Sequence, residues 1–208
     1  MNKLRILGLA GVLSIVGVAS AGTIAFPVTG QNVVGGLDQN YQIISDTTGL
    51  YTGTVPGDAV IVTDPAPQWM APFAGTEYIG PRANENFPGT TNGGITWYQT
   101  TFSLASPANA SLDLALLVDN AVTVFLNGIQ VGVIGNSDPS YTGFKTPAYV
   151  PINSGFISGV NTLQFEVYTA YGPTGLDVGL APEPSTLTLA GVALAAVGLL
   201  RFRKRRAA

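Results

Sequence analysis

Four aromatic residues have the surroundings that carbohydrate binding requires. Tyr141, Tyr149 and Tyr171 lie in stretches rich in Gly and Pro, and Trp69 follows the segment PAPQ. The flat face of an aromatic ring packs against the C–H face of a sugar, while amide and carboxylate side chains hydrogen-bond to its hydroxyls. These four residues are therefore the candidate ligand-binding residues. The polar residues considered with them are Asn84, Asn86, Asn92, Asn136 and Asp138.

Residue types for catalysis are scarce. The chain has no Cys and no His, which excludes thiol chemistry and removes the usual general base and the commonest zinc ligand. No motif pairs Glu77, Glu85 or Glu166 with a second carboxylate, so no catalytic residue is assigned and a protein that is not an enzyme is predicted. A carboxylate-based glycan hydrolase stays as an alternative, and it requires two carboxyl groups about 5–9.5 Å apart in a cleft.

Calcium is the one cofactor that the side chains leave open. Oxygen ligands stand next to several turn signals, but no run with EF-hand spacing occurs, so no metal ligands are assigned. Most of these carboxylates are more simply explained as turn formers. The residues concerned are Asp38, Asp46, Asp119, Asp138 and Asp177.

The charges are divided between the ends and the middle of the chain. Seven of the nine basic residues lie within the first five or the last eight positions. The stretch between these two ends contains all twelve acidic residues but only two basic ones, Arg82 and Lys145, so its formal charge is −10. Such a body cannot neutralise a phosphate backbone, so nucleic acid is excluded as a partner.

The elements that must position the aromatic residues are short strands. Leu112, Leu114, Leu116 and Val118 alternate with Asp113, Ala115 and Leu117, and similar runs occupy 41–45, 58–63, 96–104, 122–126 and 162–169. Asn127-Gly128 predicts a two-residue hairpin. With Asp119-Asn120 interpreted as a turn, residues 112–133 predict a three-strand antiparallel meander. Trp97, Phe102 and Phe125 fall in strand patterns and are interpreted as core or sheet-surface residues.

The first 21 residues have the pattern of a secretory signal peptide. MNKLR is a short basic segment, ILGLAGVLSIVGV is apolar, and Ala19 and Ala21 are the small residues that signal peptidase requires. We expect a helix here that is removed by cleavage after Ala21.

The C-terminus combines three features in a fixed order. Pro182-Glu183-Pro184 favours an extended backbone, and Ser185–Leu200 is an uncharged run of sixteen residues. A helix of that length spans about 24 Å, short of the ~30 Å hydrocarbon core. The basic cluster RFRKRR that follows nevertheless indicates a stop-transfer signal. We predict a transmembrane helix at 185–200 and a basic cytoplasmic tail at 201–208.

This order resembles the PEP-CTERM sorting signal of Gram-negative bacteria, over residues 182–208. The resemblance implies transient anchoring in the cytoplasmic membrane and release by an exosortase. It also implies a destination at the cell surface or in an exopolysaccharide matrix. It carries no information about the activity of the body.

The body, residues 22–181, is predicted to be all-β and to form a single sandwich. The order of Trp97-Tyr98, Asn127-Gly128 and Gly159-Val160-Asn161 resembles the galactose-binding-like jelly roll of secreted carbohydrate-binding modules. The resemblance implies polysaccharide binding through loop aromatics. The alternative is a structural or adhesive matrix protein without a defined ligand. Two or more exposed rings beside one loop-end cleft would favour binding, whereas scattered, mostly buried rings would favour the alternative.

Overall fold

The computed structural model describes residues 24–86, 93–138 and 140–181 of the 208-residue chain. The predicted signal helix and its cleavage residues Ala19 and Ala21 lie outside these ranges. So do the motif Pro182-Glu183-Pro184 and the predicted transmembrane helix at 185–200. Within the described ranges, no helix is long and apolar enough to cross a bilayer.

The described part is built from strands, as the sequence predicts. The strands are β1 (Val33–Val34), β2 (Leu37–Asp46), β3 (Gly57–Ile61), β4 (Ile79–Gly80), β5 (Gly94–Leu104), β6 (Leu112–Asp119), β7 (Ala121–Leu126), β8 (Ile129–Ile134), β9 (Ala148–Ile152), β10 (Gly159–Thr169) and β11 (Gly175–Leu180). The helical element among these residues is a 3-10 turn at Gly135–Ser137. The all-β prediction is confirmed.

Antiparallel pairing joins the strands into one path, β8-β7-β10-β5-β2-β3-β4-β11-β6-β9, with β1 paired to β2. The path folds over on itself at β3 and β4 to give a nearly closed sandwich. Its two terminal strands, β8 and β9, lie side by side. They approach so closely that a Cβ at Gly132 in β8 would stand 2.5 Å from Cγ1 of Val150 in β9. The missing side chain of Gly132 thus allows the close approach of the two edges.

The main core lies between the two halves of the sandwich. It joins fully buried residues of β2, β5 and β10 to residues of β6 and β11, because each strand directs alternate side chains inward. The largest fully buried side chains include Tyr41, Tyr98, Phe165, Leu114 and Leu116. The interpretation of Phe102 as a core residue is confirmed, since it is buried against Phe26 with ring centroids 5.6 Å apart.

The predicted meander at 112–133 is wrong in one strand. β7 and β8 form the expected hairpin at Asn127-Gly128, but β6 pairs with β11 and β9 and not with β7. Asp119-Asn120 therefore carries the chain from one half of the sandwich to the other. The two-residue period describes each strand, but it does not specify which strand is the neighbour.

Candidate functional site

A groove of about 640 Å³ lies on the outer face of β6, β9 and β11. Ala115, Tyr149 and Gly179 share this face, because the register places Ala115 opposite both Tyr149 and Gly179. The volume falls in the range of small-molecule sites, roughly 300–1,000 Å³. The residues that line it are Val28, Gln31, Met70, Ala71, Pro72, Phe73, Ala74, Gly75, Thr76, Ala115, Pro147, Tyr149, Gly179 and Leu180.

The chemistry of the groove is apolar with a few neutral hydrogen-bonding groups. None of its lining residues is charged, and the polar side chains are those of Gln31, Thr76 and Tyr149. Tyr149 is 57 % exposed, so its ring is accessible at the groove. An accessible phenol ring beside a neutral apolar surface suits the C–H face of an uncharged sugar better than an ion.

One wall of the groove belongs to a long segment that covers the outer face of β6 and β11. We call residues 62–78 the covering loop. Trp69 and Tyr78 in this loop pack with ring centroids 4.7 Å apart, and both belong to one buried cluster with Leu117 of β6 and Phe144. Apart from Asp113, β6 is consequently buried on both faces.

Trp69, one of the four predicted binding residues, is part of this second buried cluster. It is 8 % exposed, and its Nε1 donates a hydrogen bond of 2.7 Å to Oδ2 of Asp119. Burial raises the pKa of Asp119 to about 7; the hydrogen bond from Trp69 opposes the rise, and the negative charge of Glu85 adds to it. This position favours a structural role for Trp69, as the residue that fixes the covering loop.

Asp177 on β11 holds the covering loop at a second point. Its Oδ2 accepts a hydrogen bond of 2.9 Å from the backbone N–H of Phe73, and its Oδ1 accepts one of 2.9 Å from the hydroxyl of Thr29. Burial raises the pKa of Asp177, and hydrogen bonds from Thr76, Phe73 and Thr29 oppose the rise. The wall of the groove that contains Phe73 is therefore fixed to the sheet by a buried carboxyl group.

The three predicted tyrosines are exposed but do not share one site. Tyr149 lines the groove, whereas Tyr141 and Tyr171 lie at the end of the sandwich where β6 ends. There Asn120 bridges to Thr142 and accepts a hydrogen bond of 3.1 Å from the backbone N–H of Ala170. Tyr141 precedes Thr142 and Tyr171 follows Ala170, so both tyrosines lie near Asn120. Their exposed fractions are 41 % and 72 %.

Two side chains of the groove wall were not predicted from the sequence. Met70 and Phe73 belong to the covering loop, which has no regular secondary structure and no hydrophobic period. The one local signal was the run of Pro and aromatic residues from Pro65 to Phe73, which identifies a loop but not the surface it covers.

A second aromatic surface lies on the exposed face of β5, β7 and β10. The rings of Trp97 and Phe125 stack there with centroids 5.4 Å apart, and both residues are half-buried. Beside them Gln164 donates a hydrogen bond of 3.0 Å to Gln99. The interpretation of Trp97 and Phe125 as core or sheet-surface residues is confirmed: both lie on the sheet surface.

The carboxylates of the described residues serve the fold in several visible ways. Glu85 is fully buried; its Oε1 lies 3.1 Å from Nε of Arg82, and its Oε2 accepts a hydrogen bond from the N–H of Thr174. Glu85 influences the pKa of Asp119, but Asp119 is only 3 % exposed, so this pair does not face a cleft. The prediction that the protein is not an enzyme stays a prediction.

The Asp residues considered for calcium take part in hydrogen bonds that shape turns. Asp38 accepts from the N–H groups of Gly30 and Asn40, and Asp46 accepts from the hydroxyl groups of Thr48 and Thr96. In the part of the chain that the structure describes, no three acidic side chains come together as a metal-binding group. A structural calcium ion stays a prediction.

Comparison with known proteins identifies the tail. Residues 180–206 match the model of the PEP-CTERM protein-sorting motif, which confirms the resemblance drawn from Pro182-Glu183-Pro184 and the residues after it. No curated protein matches the chain.

The similar solved structures include two family 35 carbohydrate-binding modules, one from Clostridium thermocellum and one from an environmental isolate. Each is 16 % identical to this chain, with TM-scores of 0.36 and 0.32. The matches cover 58 % and 76 % of this chain and 84 % and 100 % of the modules.

An α-L-rhamnosidase from Streptomyces avermitilis, complexed with L-rhamnose, is similar at 25 % identity and a TM-score of 0.39. That match covers 57 % of this chain and 11 % of the enzyme. The first four glycosidases matched are covered over only 9 to 12 % of their own length.

Proposed function

From the sorting motif at residues 180–206 we propose that the protein is exported and held as a precursor in the cytoplasmic membrane. An exosortase then releases the body to the cell surface or the extracellular matrix of a Gram-negative bacterium. There the sandwich binds an uncharged polysaccharide through its groove. The observation that supports export is the match to the sorting motif. The observation that supports binding is the groove of about 640 Å³ beside the exposed ring of Tyr149.

The charge of the body supports an uncharged ligand. Residues 22–181 contain eleven acidic and two basic side chains, a formal charge of −9. Like charges repel over about 10 Å at ordinary ionic strength, so an anionic polysaccharide is disfavoured at this surface. The groove itself offers no charged side chain that would compensate.

Export is tested in the producing bacterium by deleting its exosortase gene. The full-length chain should then accumulate in the membrane fraction with residues 182–208 intact, and the shorter body should be lost from the surface and the medium. Unchanged release of the body would contradict the proposal. Mass spectrometry of the C-terminal peptide distinguishes the two results.

Binding is tested with residues 22–181, which contain both hydrophobic clusters, on arrays of neutral and anionic polysaccharides. Tyr149→Ala should weaken binding to the best neutral ligand about tenfold, which corresponds to ~1.4 kcal/mol. Tyr171→Ala is the matched control, since it removes an exposed ring at a distance from the groove, and it should leave the affinity unchanged. Equal losses in both variants, or no ligand at all, would contradict the binding proposal.

A matrix protein without a defined ligand is the second candidate. It is favoured by the burial of Trp69 and by the separation of Tyr141 and Tyr171 from the groove. The same array decides between the two, because this candidate predicts that Tyr149→Ala has no effect on any interaction with polysaccharide.

A further inference from the structure

The described chain ends at one particular end of the sandwich, which we call the exit end. It consists of Ala181 and the loops 105–111, 127–128 and 153–158. The N–H of Ala181 donates a hydrogen bond of 2.8 Å to the carbonyl oxygen of Asp113, at the start of β6. Ser158 donates to the carbonyl oxygen of Ala105, and Asn127 donates to that of Gly155. These bonds bring the three loops together beside the point where the chain leaves the sheet.

Apolar side chains project into solvent at the exit end. Ile129, Ile157 and Val160 are 61 %, 49 % and 60 % exposed. Ile129 and Gly155 line the same depression of about 340 Å³, and Val160 pairs with Ser103 of β5. Ile129 shares the sheet face of its partner Leu126, whereas Val160 lies on the opposite face, so the three aliphatic residues surround the same end of the sandwich.

The backbone that presents these residues is fixed from inside. Asn161 is fully buried; its Oδ1 accepts from the N–H of Ile157, and its Nδ2 donates to the carbonyl oxygens of Ile157 and Gly159. Asn127 also donates to Oδ1 of Asn161, at 2.9 Å. Because this network holds the loop 153–158 in place, Ile157 cannot turn inward without breaking buried hydrogen bonds.

The exit end is poor in charge compared with the rest of an acidic body, and its charged side chain is the exposed Asp113 at the start of β6. The stretches 103–112, 126–137 and 146–165, which build the rest of it, contain no Asp, Glu, Lys or Arg. The opposite end carries Arg82, Glu85, Asp119, Asp138 and Lys145. A charged group loses hydration energy when it approaches an apolar phase, whereas an uncharged surface does not. The exit end is thus better suited to contact with lipid than the opposite end is.

The sequence after Ala181 fixes how far this surface can be from the membrane. The apolar run Ser185–Leu200 begins four residues later, and four extended residues span at most about 14 Å. With that run held in the bilayer, as the proposed function requires, the exit end stays within this distance of it. Aliphatic side chains at the surface of a bilayer gain by burial among the lipid headgroups and upper acyl chains.

We propose that, in the membrane-anchored precursor, the exit end rests on the outer surface of the phospholipid bilayer with Ile129, Ile157 and Val160 inserted at the interface. The body then has one orientation relative to the membrane, with the groove and Tyr149 at its side and with Tyr141 and Tyr171 directed away. This inference rests on the membrane-anchored precursor of the proposed function. It adds a lipid-binding surface on the folded body itself.

The absence of Cys allows a direct test with single labels in the full chain. The chain is reconstituted into vesicles of phosphatidylethanolamine and phosphatidylglycerol that contain brominated lipid as a quencher. A fluorophore is attached through Val160→Cys or, as the matched control, through Tyr171→Cys. The label at position 160 should be quenched at least twofold more than the label at position 171. Equal quenching of both labels would overturn the inference.

A second variant separates insertion from tethering by the tail. With the label attached through Ser154→Cys, the substitutions Ile129→Ser and Ile157→Ser should reduce quenching at least twofold, although the tail is unchanged. Undiminished quenching would show that the tail alone keeps the body near the lipid, and would overturn the inference. A change in the fluorescence of the label that appears only after addition of exosortase would also overturn the inference, because it would indicate that the exit end contacts a protein partner. If the chain is not retained in vesicles at all, the proposed membrane-anchored precursor fails as well, so the two failures are distinguishable.

Discussion

The indole Nε1 of Trp69 lies 2.7 Å from Oδ2 of Asp119, and both side chains are buried. The bond joins two residues fifty positions apart in the chain. It connects the covering loop to the end of β6, on the strand that also supplies Ala115 to the groove. The covering loop forms one wall of the groove, and this hydrogen bond attaches the loop to a buried carboxyl group. The strength of that attachment therefore depends on whether Asp119 is protonated.

Stability should depend on pH through Asp119. Its pKa is about 7 in the folded protein, against an ordinary value of 3.8. Because the folded state binds this proton more tightly than the unfolded chain does, folding is favoured where the carboxyl is protonated. That advantage is lost as the pH rises from about 4 to about 7. The free energy of unfolding of residues 22–181, measured with urea, should therefore fall over this interval by an amount on the order of 4 kcal/mol.

Asp119→Asn is the control for this pH dependence. The amide keeps an oxygen acceptor for Trp69 but does not titrate, so the variant should show a shallower decrease between pH 4 and pH 7. The decrease should not vanish, because burial also raises the pKa of Asp38, Glu85 and Asp177. A variant with the same slope as the native protein would show that Asp119 is not the group responsible.

Replacing Trp69 tests the hydrogen bond from the other partner. Trp69→Phe keeps most of the ring but leaves the buried carboxylate of Asp119 without this donor, at a cost of about 1–3 kcal/mol at pH 7. The loss should be smaller at pH 5, where the carboxyl is protonated and the bond is no longer charge-assisted. Trp97→Phe is the matched control, and stacking on Phe125 should limit its cost to less than ~1 kcal/mol. Equal costs in both variants would refute the special role of Trp69.

The groove should be sensitive to the size of residue 179. A Cβ at Gly179 would lie 2.8 Å from Cδ2 of Phe73, so Gly179→Ala must displace the ring that lines one wall. We expect a loss of about 1–3 kcal/mol in the free energy of unfolding. In a Phe73→Leu background the same substitution should cost clearly less, since the ring is absent. Additive costs in this double-mutant cycle would mean that the two residues do not compete for space.

The buried amide of Asn161 should be essential to the order of the exit end. Asn161→Ala leaves the N–H of Ile157 and the carbonyl oxygens of Ile157 and Gly159 without this partner, and we expect a loss of at least 2 kcal/mol. Hydrogen exchange of residues 153–160 should accelerate more than exchange in the core strands. Asn153→Ala, at an exposed position of the same loop, is the control and should change neither measurement.

The strands were predictable because each has a strong local signal. Thr162–Thr169 alternates without interruption and Asn127-Gly128 marks the hairpin of β7 and β8, so these elements could be assigned from short windows. Strand partners could not, because β6 has apolar residues on both faces and fits beside β7 or β11 equally well by pattern. A short strand such as Ile79–Gly80 exists because it pairs with β3 on one side and β11 on the other, and it has too few residues to form a pattern.

The candidate site was predictable only in part. Tyr149 was identified because Gly and Pro surround an aromatic residue, but the same signal selected Trp69, which the covering loop buries. Whether a loop residue faces solvent depends on what the loop packs against. For residues 62–78 that surface is a strand about fifty residues away in sequence, which no local pattern contains.

The contact between Gly132 and Val150 has a consequence for how this protein behaves when it is concentrated. Open strand edges are templates for chain-to-chain polymerisation, and β8 and β9 are the two free edges of the described strand path. Here β8 and β9 obstruct each other, so within the described strand path these two edges are shielded from a strand of a neighbouring molecule. At high concentration the molecules should therefore resist edge-to-edge growth through these two strands and remain separate particles.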